Sequence, residues 1–442
     1  MVASMLPTPD PPAAPGLRIA VVGAGISGLS AAWLLSQRHD VVLFESDRRL
    51  GGHAHTHRVS HGGREWAVDS GFLVYNHRTY PRFVSLLAEL GVEGQPSEMS
   101  FSVRCRRCRL EYASHSLDGL FAQRRRLADP RHLAMLLEVP RFNRKALALV
   151  EGPDGDDRTL AEFLSAHGFS RAFARHFLLP LVGAVWSSSH RDVSGFSARA
   201  LFRFLAHHGW LTLDPPQWWT IGGGSARYVE ALAGRLGDRV HAGRAVGRVR
   251  RDPRGVELTT EDGETRRFDR VVLATHADQA LRLLADPSEA ERRALSAFRY
   301  SRNRTLLHTD RRSLPVSRRA WASWNMDLVD CHDPSRPLGM TYNVSRLQSL
   351  PGPTTFCVSL NEPFPAPETV LAEMDYSHPI LDAAAARAQQ ELRRLSGQRH
   401  TFYAGAHMRY GFHEDGLRSA LAVGEALGCR LAGATASREE AA

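Results

Sequence analysis

The chain has 442 residues, 43% hydrophobic and 23% charged, with a formal net charge of +9. That is too long for one simple core and ordinary for a soluble globular protein, so two interlocked domains are expected. No apolar run approaches the ~18 residues that a membrane-spanning helix needs. Nearly all the positive charge is arginine, Lys145 being the one lysine. It is spread along the chain without the aromatic-interleaved basic motif of a nucleic-acid module, so no nucleic-acid partner is expected. An anionic membrane surface or an acidic ligand is a better use of it. Five cysteines, Cys105, Cys108, Cys331, Cys357 and Cys429, are an odd number at scattered spacings, which fits a reduced, cytoplasmic compartment. Residues 1–16 are proline-rich and lack the charged and apolar regions of a signal peptide, so they read as a disordered tail, as do residues 431–442.

Residues 17–22 form a short apolar, β-branched run suited to a buried parallel strand. Gly23, Gly25 and Gly28 follow at G-x-G-x-x-G spacing, residues 27–36 are apolar at helical spacing, and residues 40–45 read as a second strand ending in Glu45. In this setting each residue has a physical duty. Gly23 makes the turn out of the strand, and Gly25 lets a pyrophosphate approach the backbone at the helix N-terminus. Gly28 lets helix and strand pack closely, and Glu45 accepts from a ribose hydroxyl. The pattern predicts a dinucleotide site spanning Gly23, Ala24, Gly25, Ile26, Ser27, Gly28, Glu45 and Ser46. The next stretch, LGGHAHTH (50–57), places His53, His55 and His57 at alternate positions. On a strand they would share a face, and three imidazoles are enough for a metal.

The segment ESDRRLGGHAHT resembles the second half of the FAD fingerprint of the flavin-containing amine oxidoreductase superfamily, which includes amine oxidases, protoporphyrinogen oxidases and carotenoid desaturases. The resemblance implies a flavin contact for Arg49, Gly51 and Gly52, with His53 standing where arginine is usual and lying along the cofactor. It also implies that His55 and His57 are ordinary polar residues, so that no metal is expected. VDSGFLVY (68–75) is similar to the family's next flavin-side segment and adds Gly71, Phe72 and Leu73. Residues 245–273 read as a strand–turn–strand–turn–strand meander with a closing strand. There the resemblance assigns Val246 to the adenine and Ala274 to the closing strand. In TFYAGAHMRYGFHEDGLRSALAVGEAL (401–427) it assigns Gly405, Ala406, Glu414, Asp415, Gly416 and Leu417 to the flavin edge, at the start of a helix whose positive end favours the reduced anion. The acid that often follows this Ala-Gly is replaced here by Ala406 and His407.

The implied fold is α/β: an FAD-binding Rossmann-like (GR2-type) domain built from discontinuous segments 17–75, 216–280 and 396–430, plus an α+β substrate domain from 76–215 and 281–395. PQWWTIGGGSARYVEALAGRL (216–236) reads as strand, three glycines and helix. It matches the segment with which the superfamily re-enters the FAD domain, and with a single dinucleotide fingerprint in the chain a bound NAD(P)H is not supported. Residues 159–186 and 196–208 read as apolar-periodic helices, and residues 337–345 and 354–361 as strands. CRRC (105–108) has no second ligand pair in the sequence and reads as the turn of a hairpin between two strands meeting at Arg106-Arg107.

More specifically, the run GGHAHT, DSGFLVYNHRTYP, PQWWTIGGGS, TYNVSRLQ and YGFHEDGLRSAL resembles a bacterial branch of predicted NAD/FAD-binding oxidoreductases, often encoded beside cyclopropane-fatty-acid-synthase-like methyltransferases. The resemblance spans residues 17–428. It implies hydride transfer from an apolar small-molecule or lipid-like substrate, a fatty acyl chain or its methyl-branched form, to FAD in a dry pocket. A flavin amine oxidase acting on a small amine is the alternative. Against it, such enzymes typically hold a lysine near the flavin, whereas Lys145 falls in a segment away from it. A non-catalytic, flavin-stabilised partner subunit is the third reading. Candidates for a base are His413, Glu414, Tyr75 and His53. Residues 120–150 interleave Arg124, Arg125, Arg126, Arg131, Arg141, Arg144 and Lys145 with leucine, phenylalanine and methionine. This is either a pair of solvated helices over the substrate domain or a peripheral contact with the inner face of the cell membrane. These motifs leave oligomeric state open.

Overall fold

A computed structural model describes residues 16–431 except 154, 156–157, 187–192, 213–215, 334–338 and 362–364. Both predicted tails otherwise lie outside the described residues. The first strand, β1 (Arg18–Val22), the helix α1 (Ile26–Leu35) and the second strand, β2 (Asp40–Phe44), fall where the fingerprint predicts. The strand β1 pairs in parallel with β2 on one side and with Arg270–Leu273 on the other. Short strands at 240–241 and 401–403 complete a five-stranded parallel sheet. Every residue of α1 is buried. That is why the helix is apolar on all sides instead of carrying one stripe.

The 246–268 meander forms as three antiparallel strands, Val246–Asp252, Gly255–Thr260 and Thr265–Phe268, and its chain returns to the parallel sheet through Arg270–Leu273. A seven-stranded mixed sheet forms the second layer, in the order 370–380, 299–308, 357–360, 339–343, 324–328, 101–105 and 110–113. Its longest pairing, Arg299–His308 with Val370–Ile380, was not predicted. The expected helix over 159–186 divides in two. Leu160–Ala166 ends at Gly168, whose φ of +62° and bonds Phe169 N to Leu164 O and Gly168 N to Ser165 O close it with a left-handed cap. A second helical run covers Arg171–Trp186, with a π-turn at Ala174–Leu178.

The 120–150 segment is a short 3-10 turn followed by one helix, Pro130–Glu151. His132, Met135, Phe142 and Ala146 face inward, while Leu127, Leu133 and Leu137 are exposed. Arg126 departs from the expected solvated row: it is part-buried, ion-paired with Asp129 and bonded to the carbonyls of Cys108 and Arg109. No helix among the described residues is long and apolar enough to cross a membrane.

Asp69 ties together pieces remote in sequence. It ends the hairpin 56–61/64–69 and is fully buried. Its carboxylate accepts from Ser225 N at 3.0 Å, Ser225 Oγ at 2.8 Å, Thr56 Oγ1 at 2.5 Å and Gln348 Nε2 at 3.2 Å, and its own N–H donates to Gln348 Oε1. Burial raises this carboxyl to about 6, and the hydrogen bonds from Thr56 and Ser225 work against that rise. Hydrogen bonds to a charged group are worth about 1.5–3 kcal/mol each, and removing their common acceptor strands buried donors. Asp69→Ala is therefore expected to cost at least about 3 kcal/mol in denaturant unfolding and Asp69→Asn less; an unchanged midpoint for Asp69→Ala would contradict the assignment.

Candidate active site

One cavity of about 790 Å³ lies where the segments named above converge. Its wall includes Gly23, Ala24, Gly25, Ile26, Ser27, Glu45, Ser46, Arg49, Gly51, Gly52, His53, Gly71, Phe72, Leu73, Val246, Ala274, Gly405 and Ala406, which stretch from the first fingerprint residues to the C-terminal strand. Gly28 is not on the wall. A β-carbon there would stand 1.7 Å from Gly23 O, so its smallness serves the packing of α1 against the strand. At Gly25 a β-carbon would meet nothing within 4 Å, and its backbone is extended. The loop thus leaves bare backbone facing open space at a helix N-terminus, which is what a pyrophosphate requires.

The acid and the second glycine pair are held by local bonds. Glu45 Oε2 accepts from Ala24 N at 2.6 Å, and Oε1 accepts from Ser46 Oγ at 3.1 Å and Asp47 N at 3.0 Å. Gly51 N donates to Ala24 O at 2.8 Å, and a β-carbon at Gly52 would lie 3.2 Å from Gly25 Cα, so this turn rests directly on the first glycine loop. Arg49 fastens it by donating to the carbonyls of Leu50, Ala54 and Gly52 at 2.9–3.1 Å. Phe72 N bonds His53 O at 2.8 Å, and a β-carbon at Gly71 would collide with that same carbonyl.

His55 and His57 share a face, with ring centroids 3.9 Å apart, whereas His53 packs among a different set of rings. His53 is half-buried on the cavity wall, His55 bonds Tyr376 Oη, and His57 bonds Ser70 Oγ. The strand begins only at Thr56, so the alternation that brings His55 and His57 together does not extend back to His53. His53 instead joins a second group on the wall, with ring centroids 5.0 Å from Tyr376, 5.4 Å from His378 and 6.1 Å from His276, which stacks on Tyr300. Its Nε2 is buried without a hydrogen-bond partner, the kind of atom a bound cofactor would satisfy.

The other candidates separate. His413 lies on the wall, but its ring stacks on Phe72 at 3.6 Å and its Nε2 bonds Tyr228 Oη at 3.0 Å. Glu414 is off the wall and accepts from Arg82 N and Phe83 N, holding the first turn of the helix Pro81–Leu90. Asp415 accepts from Tyr410 N and Phe412 N and so closes the start of its own helix, His413–Ala426. Burial raises Asp415 to about 7. Gly416 and Leu417 are packing positions, and Tyr75 is buried edge-on against Phe83. None of these five lines the cavity. The two acids at this helix start accept from backbone N–H groups, and Tyr75 does not line the cavity.

Residues that sequence reasoning did not single out complete the wall. Phe204, His208, Trp210, Trp324, Tyr342, Tyr410 and Phe412 form a linked aromatic group, with Trp210 6.1 Å from Trp324, Trp324 5.5 Å from Tyr342 and Phe204 5.4 Å from Phe412, and Trp218 also lines the wall. For Tyr376 and His378 a signal existed: they stand at i and i+2 of one strand and so share its face.

Two predictions follow from this geometry. Compared with cofactor-free wild type, Gly25→Val is expected to keep the same unfolding midpoint yet fail to take up the dinucleotide cofactor, whereas Gly28→Val is expected not to fold; loss of folding in Gly25→Val would contradict the reading of the loop. The second concerns pH. Burial holds His378 and His208 near 4 and His407 and His413 near 3. Unfolded, these imidazoles take protons near 6.5, so between about pH 6.5 and 4 the unfolded chain binds more protons and stability falls as pH falls. Asp69 and Asp415, raised in the fold, oppose this over part of the range, but the histidines outnumber them. Denaturant unfolding of the cofactor-free protein across this window is expected to show decline on acidification; a flat or rising profile would contradict it.

The model of the flavin containing amine oxidoreductase family matches residues 26–321. A Mycobacterium tuberculosis protein assigned as the flavin-containing monoamine oxidase AofH is 28% identical over 260 residues, 56% of this chain and 54% of that protein. The chain thus spans about half the length of the curated relatives it matches. Among solved structures, the CLA-producing fatty acid isomerase from P. acnes superposes with a TM-score of 0.65 at 18% identity, covering 91% of this chain and 97% of that one. Cyclohexylamine oxidase from Brevibacterium oxydans gives 0.66 at 18% identity, covering 93% and 100%. At that identity the likeness shows the fold, with its Rossmann-like FAD domain and substrate domain. Together with the cradle at Gly25 and the wall that surrounds it, the family match establishes that this chain belongs to the flavin containing amine oxidoreductase family and that its cofactor is FAD.

Proposed function

We propose that this oxidoreductase removes two hydrogens from an apolar, lipid-like substrate, a fatty acyl chain or its methyl-branched form. The observation that carries this reading is the composition of the cavity wall. Its aromatic group supplies a large apolar surface, and the three carboxylates on the wall do not offer a buried partner to an ammonium. Glu261 and Asp375 are exposed, and Glu45 is bonded to the Ala24 and Asp47 amides. A buried charge without a partner is costly, so such a wall favours a neutral chain. Lys145 is exposed on the helix Pro130–Glu151 and is absent from the wall, so the lysine that amine oxidases typically hold near the flavin has no counterpart there.

FAD, held by the glycine loop, Glu45 and the Gly51–His53 turn, would supply the hydride acceptor. The protein's own residues bind and exclude water. The aromatic group encloses the substrate, and the neutral imidazoles of His53, His276 and His378 provide a wall that stays uncharged. His53 is the base candidate that both lines the cavity and keeps a ring nitrogen without a partner. The second reading, oxidation of a small amine, is favoured by the same aromatic rings, which can hold a cation face-on. A fatty acid isomerase and a cyclohexylamine oxidase share this fold, so the fold alone does not choose between the two.

The lipid reading extends to a peripheral membrane contact. Leu117, Leu127 and Leu137 are 75%, 54% and 74% exposed, and Arg124, Arg125 and Arg131 are exposed beside them in the chain. Exposed leucines and arginines in one segment suit the interface of an anionic bilayer, where each arginine contributes about 1 kcal/mol, Arg124 being paired with Asp118 in the free protein. Lipid extracts from cells that make the protein are expected to contain acyl species two hydrogens lighter than those from cells that lack it. Unchanged lipids, with hydrogen peroxide released on addition of small amines, would overturn the substrate assignment. On vesicles rich in anionic lipid, Leu133→Gln/Leu137→Gln and Arg124→Gln/Arg125→Gln variants are each expected to sediment several-fold less than the wild type at low salt; equal, negligible sedimentation of all three would overturn the membrane contact.

A further inference from the structure

The sequence shows one C-x-x-C pair with no second pair of ligands. The fold supplies one. Cys105 ends the strand Phe101–Cys105, and Cys108 stands in the turn that leads to the strand Leu110–Ala113. The strand Phe101–Cys105 runs parallel to Trp324–Leu328 with Cys105 opposite Leu328, so the chain leaving that second strand passes the same point and delivers Cys331. The π-turn at Ala174–Leu178 brings His176, whose carbonyl is fixed by Tyr112 Oη at 2.7 Å. One ligand atom from each of Cys105, Cys108, His176 and Cys331 lies within 4.8 Å of all the others, the one such group among the described residues. Cys108 Sγ and Cys331 Sγ are 3.4 Å apart, much longer than a disulfide and close to the separation of two sulfurs on one tetrahedral ion.

We propose that Cys105, Cys108, Cys331 and His176 bind one zinc ion as a closed structural site. Three sulfurs and one imidazole are a complete tetrahedral set for zinc and leave no open position for substrate. The ion joins the edge hairpin of the seven-stranded sheet, the loop after Trp324–Leu328 and the helical run Arg171–Trp186, with Cys108 and Cys331 223 positions apart in the chain. Binding replaces three S–H bonds by three S–Zn bonds and releases three protons to water, leaving a centre of net charge −1. The surroundings suit that charge. Cys108 N approaches Cys105 Sγ at 3.5 Å, and Arg126 donates to the carbonyls of Cys108 and Arg109. The soft, sulfur-rich donor set selects zinc over the oxygen-preferring magnesium and calcium. The site is lined by none of the residues of the FAD cavity, so it stands independently of the substrate reading.

The test is elemental analysis of the full-length flavoprotein, purified under reducing conditions from zinc-supplemented cells and washed with a weak chelator. The expected result is one zinc per chain, lost in Cys331→Ser and in Cys108→Ser, with visible flavin absorbance retained. Titrating zinc-stripped wild type with cobalt is expected to give the intense d–d bands of a tetrahedral ion and thiolate-to-cobalt charge transfer, saturating at one equivalent. His176→Ala is expected to shift those bands. The cobalt titration decides the matter even where a cysteine variant fails to fold. Wild type that takes up neither ion, with its thiols free, would overturn the proposal, as would a mass two hydrogens lower with a Cys108–Cys331 cross-linked peptide from protein kept reduced throughout.

Discussion

The first turn of α1 meets the C-terminal helix so closely that a β-carbon at Gly416 would stand 2.8 Å from both Ile26 Cγ2 and Ser27 Oγ, while on its other side a β-carbon at Gly28 would enter the Gly23 carbonyl. This crossing governs the rest. It brings residues near both ends of the chain to one point, buries α1 on every side, and leaves Gly25 facing open space. Because the crossing consumes the surfaces of both helix starts, the acids there are occupied: Glu414 holds the helix Pro81–Leu90 and Asp415 caps its own helix. The reacting space is left to histidines and aromatic rings.

That allocation has an electrostatic consequence. Six histidines stand on the cavity wall, and desolvation by burial lowers His378, His407 and His413 well below the ordinary imidazole value, which keeps these rings neutral. Of the charged wall residues, Glu45 and Arg49 spend their hydrogen bonds on the backbone of the two glycine turns, while Glu261 and Asp375 are exposed. A neutral interior beside a charged binding loop suits the separation of a polar cofactor from an apolar substrate.

Much of this architecture was legible because its signals are local. Gly23, Gly25 and Gly28 each answer a steric demand set within a few residues, and the turns of the 246–268 meander are written in Pro-Arg-Gly and Glu-Asp-Gly. The break at Gly168 was missed because apolar periodicity continues across it, although the chain turns there. The aromatic wall was missed for a different reason. Trp324 and Tyr342 come together through a strand pairing and Trp210 reaches them from the turn after the helix Ala198–His207, and an aromatic residue in either setting looks the same whether it faces core or cavity. An acid at a helix start has two uses, a ligand or a cap, and the backbone N–H groups that Glu414 and Asp415 accept from are not legible in the sequence. Cys105, Cys108, His176 and Cys331 are the extreme case: each position is uninformative alone, and their convergence depends on a parallel strand pairing across the chain.

The central claim is that the FAD cavity takes a neutral acyl chain in preference to an amine. The direct measurement is anaerobic mixing of the yellow protein with long-chain acyl substrates and, separately, with small amines, following the flavin absorbance. Bleaching by an acyl substrate and none by amines is the predicted result. Rapid bleaching by amines, with acyl chains inert, would contradict it.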